Sequence, residues 1–128
     1  MDVKQTILDQ FTQWNVALKS GQASRVAALY AETAVLLPTA SNQVRDTPAL
    51  ITDYFEHFLQ KSPSGTIDQS HVRVFGEIAI NSGVYTFSFA SGETLQARYT
   101  FVYRQFAGQW YIVEHHSSAM PEGQPQNS

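Results

Sequence analysis

The sequence predicts a single α+β domain in which three N-terminal helices pack on a strongly bent antiparallel sheet. In the first half, apolar residues recur at the spacing of one helical face, as at Val3, Ile7, Phe11, Trp14 and Leu18. In the second half, apolar runs of alternating polarity are separated by short turn-prone pairs. Helices followed by adjacent strands indicate α+β rather than a parallel α/β sheet. The 128 residues fit one domain, which we place at residues 1–120.

Cap and breaker residues divide the N-terminal part into two helices and a short strand. Gly21 is placed to end the first helix, because glycine readily adopts the left-handed conformation of a C-cap. Ser24 is the expected N-cap of a short second helix that carries Tyr30 on its apolar face. Residues 34–37 are typical of a short buried strand, and Pro38 closes it.

A third helix is expected after a polar loop. Thr47 followed by Pro48 is a typical helix start, because threonine caps the first turn and proline suits the first helical position. The Ser-Pro-Ser-Gly segment at residues 62–65 ends this helix. Four strands are then predicted, at residues 66–75, 78–90, 94–106 and 109–118.

The second of these strands changes phase along its length. Ile78 and Ile80 share one parity, whereas Tyr85 and Phe87 have the other. The change falls at the Asn-Ser-Gly segment of residues 81–83, where we expect a β-bulge or a sharp bend.

Large apolar groups lie on both faces of the predicted sheet. Tyr99 and Phe101 alternate with Val102 in one strand, and Ile112 alternates with Val113 in the last. A sheet with one face in water shows a cleaner alternation. We therefore expect one face to cover the helices and the other to meet a second copy, giving a homodimer or a larger homo-oligomer. The alternative is an outer face of amphipathic tyrosines in water.

Composition excludes several classes of function. The net charge is -3 and no stretch gathers Lys and Arg, so neither nucleic acid nor an anionic membrane is an expected partner. The absence of cysteine excludes disulfides and thiolate chemistry, and no cofactor motif is present. The opening residues lack an apolar signal segment, so we expect a cytoplasmic protein. The polar stretch at 121–128 is expected to be a disordered tail.

Three tracts resemble one known family, the association (hub) domain of calcium/calmodulin-dependent protein kinase II. DYFEHFLQK at residues 53–61 is similar to the third helix of that domain. GQWYIVEHHSS at residues 108–118 resembles its Gly-x-Trp turn and the following strand that ends in His-x-Ser. HVRVFGE at residues 71–77 resembles its His-Val-x-Val-x-Gly-Glu strand. The similarity extends over roughly residues 5–120 and includes no kinase or calmodulin-binding segment.

The resemblance implies the cone-shaped nuclear transport factor 2-like (cystatin-like) fold and oligomerisation. The same superfamily holds SnoaL-like polyketide cyclases and ketosteroid isomerases, so membership fixes no activity. Those isomerases place a general-base Asp just before a Pro that follows the second helix. Here Leu37 precedes Pro38, and because leucine cannot accept a proton, proton abstraction by that route is not expected.

The last two strands supply the polar candidates for ligand binding. The hub family keeps a His-x-Ser at the position of His116 and Ser118, and strand alternation puts both on one face with Ile112. A neutral imidazole can act as a general base and a protonated one can bind an anion; the alternative is a half-buried histidine with a backbone partner. Arg98, in mid-strand, is a candidate carboxylate clamp inside the cone, with an ion pair to Glu114 as the alternative.

Aromatic residues supply further candidates. Tyr54, Tyr30 and Trp14 are expected on inner helical faces, where the polar tips of the tyrosines can line a cavity, although core packing is the alternative. His71 faces either the same interior or the solvent at an edge strand. A metal site built from His71 and the two adjacent histidines near the C-terminus is not expected, because no ligand spacing supports it.

The leading hypothesis is an oligomerising hub-like domain with a pocket inside the cone for a small organic molecule, including an anionic one. The alternative is a SnoaL-like or isomerase-type enzyme for a small organic or polyketide-like substrate, with His116 as acid–base and Arg98 or Tyr54 orienting the substrate. A third reading is a pure assembly module with a filled interior.

Overall fold

The computed structural model describes residues 2–39 and 41–122. These residues form helices and a single five-stranded sheet, as the α+β prediction requires. In chain order the elements are α1 (Val3–Lys19), α2 (Ala23–Ala27), β1 (Tyr30–Leu37), α3 (Pro48–Phe58), a 3₁₀ turn (Leu59–Lys61), β2 (Ser64–Phe75), β3 (Ile78–Ser88), β4 (Thr94–Phe106) and β5 (Gln109–Ala119).

Two of the predicted helix starts can be compared with the structure. At α3 the Thr47 side chain accepts a hydrogen bond from the backbone N–H of Leu50, and Pro48 is the first helical residue, which confirms the prediction. The predicted cap of α2 was wrong. Gln22 is the N-cap there without a side-chain cap bond, and Ser24 lies inside the helix.

The sheet has the strand order β1-β5-β4-β3-β2, and it is mixed rather than wholly antiparallel. The neighbours from β2 to β5 pair antiparallel, whereas β1 runs parallel to β5. Most of the chain lies between β1 and β5, so no tight hairpin forces them antiparallel. Tyr30 opens β1 opposite Ile112 instead of lying on a helical face, because α2 ends at Ala27.

The bulge that we expected in β3 lies instead in its hairpin partner, β2. β3 pairs with β4 residue for residue from end to end, without a shift at residues 81–83. The register shift falls in β2, where Asp68 is the extra residue between the partners of Tyr85 and Val84. Gly83 borders this bulge: a Cβ added to it would lie 2.0 Å from the carbonyl oxygen of Gln69.

A second bulge reverses the alternation of the last strand. Consecutive residues of β4 pair with Ile112 and Glu114, which leaves Val113 as the extra residue of β5. Beyond the bulge, the side chains that face the interior and are buried are those of His115 and Ser117.

The inner face of the sheet packs against the helices and forms the core. Burying each large apolar side chain contributes about 1.5–3 kcal/mol relative to exposure. A hydrogen bond to a side chain also ties the first helix to the sheet, because the backbone N–H of Gly65 donates to Asn15 Oδ1 at 2.7 Å. The largest fully buried side chains include Ile7, Trp14, Leu18, Ile51, Phe55, Tyr85, Phe101, Tyr103 and Ile112.

The described chain ends in a turn at Pro121 and Glu122. The tail predicted for 121–128 falls mostly outside the described residues, so its disorder stays a prediction. Among the described helices none has the length and apolar character needed to span a membrane.

Candidate ligand pocket

A cavity of about 390 Å³ opens into the concave side of the sheet, beside α3 and the ends of β3 and β4. Its walls are mainly apolar, with polar side chains at the floor and at the mouth. Pockets for small organic molecules typically have this size and this distribution of polarity. The aromatic wall residues include Trp14, Phe55, Phe58, Tyr85, Phe87 and Phe89.

Regular spacing on three elements brings these rings together. Successive turns of α3 direct Phe55 and Phe58 inward, and the unbroken phase of β3 directs Tyr85 and Phe87 to the same space. The Trp14 ring of α1 lies edge-on to Phe55, with 6.3 Å between the ring centroids. Such edge-to-face pairs stabilise the wall beyond their buried area.

The loop between β1 and α3 forms one side of the mouth. Leu36 and Arg45 exchange two backbone hydrogen bonds of 2.8 and 2.9 Å, so the loop returns to the sheet and brings Thr39 to the cavity. The Arg45 guanidinium donates to Asp53 Oδ2 at 2.7 Å, and this bond lowers the pKa of the Asp53 carboxyl. The same guanidinium lies 5.8 Å from the centroid of the Tyr54 ring and helps to hold it in place.

His115 is the central polar group of the floor and is only 3% exposed. Its Nδ1 lies 2.8 Å from the hydroxyl of Tyr30, and its Nε2 lies 3.2 Å from the hydroxyl of Tyr85. The imidazole stacks on the Phe101 ring with 4.0 Å between centroids. The Trp14 indole N–H donates to the Tyr30 hydroxyl at 3.2 Å. Both imidazole nitrogens therefore have hydrogen-bond partners inside the protein.

The hydrogen bonds continue from His115 towards the cavity. The Tyr85 hydroxyl donates to Ser117 Oγ at 2.6 Å. Ser117 Oγ is in turn hydrogen-bonded to the hydroxyl of Thr39. Thr39, Tyr85, His115 and Ser117 all line the cavity, so the floor presents a row of side-chain hydroxyls beside a neutral ring.

Burial keeps this floor uncharged near neutral pH. Desolvation, with a smaller contribution from neighbouring His116, lowers the pKa of His115 to about 3. Desolvation also raises the pKa of the Tyr30 and Tyr85 hydroxyls well above their ordinary value of 10. The imidazole is therefore a neutral hydrogen-bonding group here and offers no positive charge to an anion.

Charged side chains line the cavity at its mouth. Lys61, at the end of the 3₁₀ turn, has its Nζ 5.8 Å from the centroid of the Phe89 ring. Glu93 lies on the loop that leads into β4, and His57 lies on α3 with Nδ1 2.8 Å from the backbone oxygen of Asp53. The mouth therefore offers both signs of charge, and the floor offers neither.

Three of the residues expected in the interior are found there. Trp14 and Tyr54 line the cavity. Tyr30 is buried directly behind the floor, one hydrogen bond from His115, although it reaches this position from a strand. The reading as a pure assembly module with a filled interior predicts no such space, whereas a cavity of about 390 Å³ is present.

Four other predicted residues do not line this cavity. His116 and Ser118 were expected to share a face with Ile112, but the bulge turns them to the other face of the sheet. Arg98 is exposed opposite Ser118, so its expected place inside the cone was wrong, because the inward phase of β4 belongs to its neighbours. His71 is exposed on β2.

The alternative expected for Arg98, an ion pair with Glu114, is not seen either. Within residues 2–39 and 41–122, no salt bridge joins Arg98 to Glu114. Their partners across the ladder are Ser118 and Val102, which separates the two charges along the sheet.

The sequence reasoning missed four residues of the floor. Tyr85 was assigned only to an apolar phase, and Thr39 only to a polar loop. His115 and Ser117 were assigned to the wrong face, because the bulge at Val113 carries no Gly or Pro that would mark it. A usable signal was the doubling of His and of Ser in adjacent positions, which places one member of each pair inward in either phase.

The described part of the chain contains no cluster of three or more His, Asp or Glu side chains arranged to hold a metal ion. The imidazole of the floor has two hydroxyl neighbours, not carboxylates.

Several solved structures have a fold similar to that of this chain. A protein from Xanthomonas campestris, described as a calcium/calmodulin-dependent protein kinase II association domain, is 48% identical, with a TM-score of 0.88 over 91% of this chain and 87% of that one. A nuclear transport factor 2-like superfamily protein from Salmonella enterica is 15% identical, with a TM-score of 0.81 over 98% and 96%. A cystatin-like fold protein from Novosphingobium aromaticivorans is 14% identical, with a TM-score of 0.76 over 90% and 80%.

The sequence comparison places the chain more narrowly than the fold does. No curated protein matches it. The family described as the calcium/calmodulin dependent protein kinase II association domain matches residues 3–121, nearly the whole described chain. Both the nuclear transport factor 2-like fold and the resemblance seen in the three sequence tracts are thereby confirmed. This chain belongs to the calcium/calmodulin-dependent protein kinase II association domain family.

Proposed function

We propose that this chain is an oligomerising hub-like domain whose cone interior binds a small, largely apolar organic molecule. The observation that carries the binding part is the cavity of about 390 Å³, with aromatic walls and an uncharged hydroxyl floor. Membership of the association domain family supports the assembly part.

The distribution of charge limits the form that an anionic ligand can take. Among the described residues, Lys61 is the one basic side chain of Lys or Arg type that lines the cavity, and it lies at the mouth. An anionic group would therefore lie near Lys61, with the rest of the molecule among the aromatic rings. A carboxylate at the floor would meet only neutral groups, and desolvating a charge without a partner is costly.

An outer face of the sheet, opposite the helices, supports contact between copies. It carries half-buried aliphatic side chains in mid-sheet and strongly exposed rings at one end, Phe75 at 61% and Phe106 at 44% exposure. An apolar surface of this kind is a common mark of protein–protein contact. The half-buried aliphatic residues are Ile80, Val84 and Val102 in mid-sheet and Ile78 at the start of β3.

The pocket is tested with tetralin, a two-ring hydrocarbon that matches the apolar walls. We expect saturable binding by the wild-type protein in calorimetry and saturation-transfer NMR. Leu95→Trp, which fills the cavity wall, should abolish the binding. Ser88→Trp, an exposed change on the neighbouring strand, is the matched control and should bind normally. Equal binding by both variants would contradict the pocket.

The assembly is tested by size-exclusion chromatography with light scattering at micromolar concentration. We expect a mass that is a multiple of the 14.3 kDa chain. A mass equal to one chain over this concentration range would contradict the assembly while leaving the pocket untouched.

The enzyme alternative has less support than binding. His116, which it requires as acid–base, is exposed outside the cavity. The interior imidazole of His115 has both nitrogens engaged in hydrogen bonds and a pKa of about 3. A general base near neutral pH needs a higher pKa than this.

A further inference from the structure

The hydrogen bonds behind the pocket floor have a fixed direction, set at their buried end. An indole N–H can donate but cannot accept, so the Tyr30 oxygen accepts from Trp14 at 3.2 Å. The acceptor that the structure offers to the proton of Tyr30 is Nδ1 of His115 at 2.8 Å. His115 therefore accepts at Nδ1, and the neutral ring carries its proton on Nε2.

The same direction continues from the imidazole to the cavity. The Nε2–H of His115 donates to the Tyr85 oxygen at 3.2 Å. The Tyr85 hydroxyl uses its own proton to donate to Ser117 Oγ at 2.6 Å. Each group in the series thus donates its proton to the next one. Ser117 accepts the hydrogen bond from Tyr85, and its own hydroxyl proton remains available.

At the end of this series, one hydroxyl proton of the Thr39–Ser117 pair is not used in a hydrogen bond within the pair. Ser117 and Thr39 have two hydroxyl protons between them, and their mutual hydrogen bond uses one. The other proton has no acceptor among the side-chain bonds of the described residues, whichever of the two hydroxyls carries it. Both side chains line the cavity; Ser117 is buried and Thr39 half-buried, so a donor left without a partner there is costly. The floor therefore offers one O–H donor to whatever occupies the pocket.

We infer that the pocket selects a cyclic apolar ligand bearing a neutral carbonyl oxygen, which accepts the free hydroxyl proton of the Thr39–Ser117 pair. This inference rests on the proposed binding function and adds the chemical class of the ligand. The aromatic walls take the ring system, and the uncharged floor favours a ketone or ester oxygen over a carboxylate. Among the described residues, Lys61 is the only lysine of the lining, and it is exposed at the mouth.

The test compares α-tetralone with tetralin, which differ by the carbonyl group. We expect α-tetralone to bind the wild-type protein about threefold to tenfold more tightly, the usual net worth of one hydrogen bond. The infrared C=O stretch of bound α-tetralone should lie below its value in cyclohexane, because hydrogen bonding weakens the carbonyl bond. Equal affinities, together with a stretch unchanged from cyclohexane, would overturn the inference. Tetralin binding would then still support the pocket, whereas no binding of either probe would overturn both.

Variants locate the donor. Thr39→Val combined with Ser117→Ala leaves Tyr85 as the last hydroxyl, one hydrogen bond farther from the mouth, so the preference for α-tetralone should fall and the C=O stretch should rise. Tetralin affinity is measured in the same variant, so that the ratio of the two affinities reports the donor separately from any change in the cavity walls. Thr100→Val combined with Ser118→Ala makes the same chemical changes on the outer face and should keep the preference. If both pairs keep it equally, the Thr39–Ser117 donor is refuted.

Discussion

At the scale of single residues, the buried imidazole links stability to pH. Folded His115 has a pKa of about 3 against an ordinary value of 6.5, because burial disfavours its charged form. A lowered histidine pKa gives stability that is fully present above the unfolded pKa. As pH falls below 6.5 the unfolded chain takes up a proton that the folded chain refuses until about 3, so stability decreases over that window.

We therefore predict that the free energy of unfolding attributable to His115 decreases by about 2 kcal/mol between pH 7 and pH 5. The measurement is urea denaturation at both values for the wild-type protein and for His115→Gln, which cannot titrate. The variant should be less stable at pH 7 and should show a flatter pH dependence. His71→Gln, a change at an exposed position, is the control for the loss of a histidine as such. A His115→Gln protein with the wild-type slope would contradict the prediction.

Which residues reach the pocket could be predicted only in part from the sequence. Trp14 and Tyr54 were found because their helices have regular spacing and clear ends. His115 and Ser117 were missed because one unpaired residue, Val113, reverses the face of everything after it. A bulge of this kind arises from pairing with distant strands, and local composition does not mark it.

At the scale of elements, the bulge at Asp68 in β2 depends on a glycine, Gly83, in the neighbouring strand β3. The sequence located the irregularity near residues 81–83 but assigned it to the wrong strand, because Gly83 marks a close approach of its partner. A Cβ at Gly83 would lie 2.0 Å from the Gln69 oxygen and 2.7 Å from its carbonyl carbon. Both are backbone atoms, which cannot move aside without breaking the ladder around the Asp68 bulge.

Gly83→Ala is therefore expected to cost about 3 kcal/mol or more, through overpacking against backbone. Gly65→Ala is the matched control. The nearest atoms to its added Cβ, at 3.2 and 3.3 Å, belong to the rings of Phe87 and Phe11, which can shift. Its cost should be about 1 kcal/mol. Urea denaturation with unchanged m-values measures both, and equal losses would show that close backbone approach at Gly83 is not limiting.

At the scale of the whole molecule, the two faces of the sheet differ in what covers them. The inner face forms the core and the pocket, and the bulges at Asp68 and Val113 mark where the pairing of that sheet shifts register. The outer face carries aliphatic side chains in mid-sheet that the helices of the same chain do not cover. The sequence predicted from alternation alone that both faces carry large apolar groups, since that pattern depends on every strand and survives an error in the phase of one.

If the outer face joins copies, a charge in its centre should weaken the assembly without unfolding the chain. Val102 lies in mid-sheet opposite Ile80 and Glu114. In Val102→Lys the neighbouring Glu114 can pair with the new ammonium in the monomer, whereas burial between copies would desolvate both charges. We expect the dissociation constant of the assembly to rise by about tenfold or more, measured by sedimentation velocity over a dilution series.

Val16→Lys makes the same change on α1, where the wild-type side chain is 63% exposed. It controls for the added charge itself. Since α1 lies on the opposite side of the sheet, we expect the Val16→Lys protein to assemble with the wild-type dissociation constant. Loss of assembly in Val16→Lys with full retention in Val102→Lys would move the contact from the sheet to the helices. In that case the exposure of the Phe75 and Phe106 rings would need another explanation, because large apolar side chains left in water stabilise neither the monomer nor an assembly.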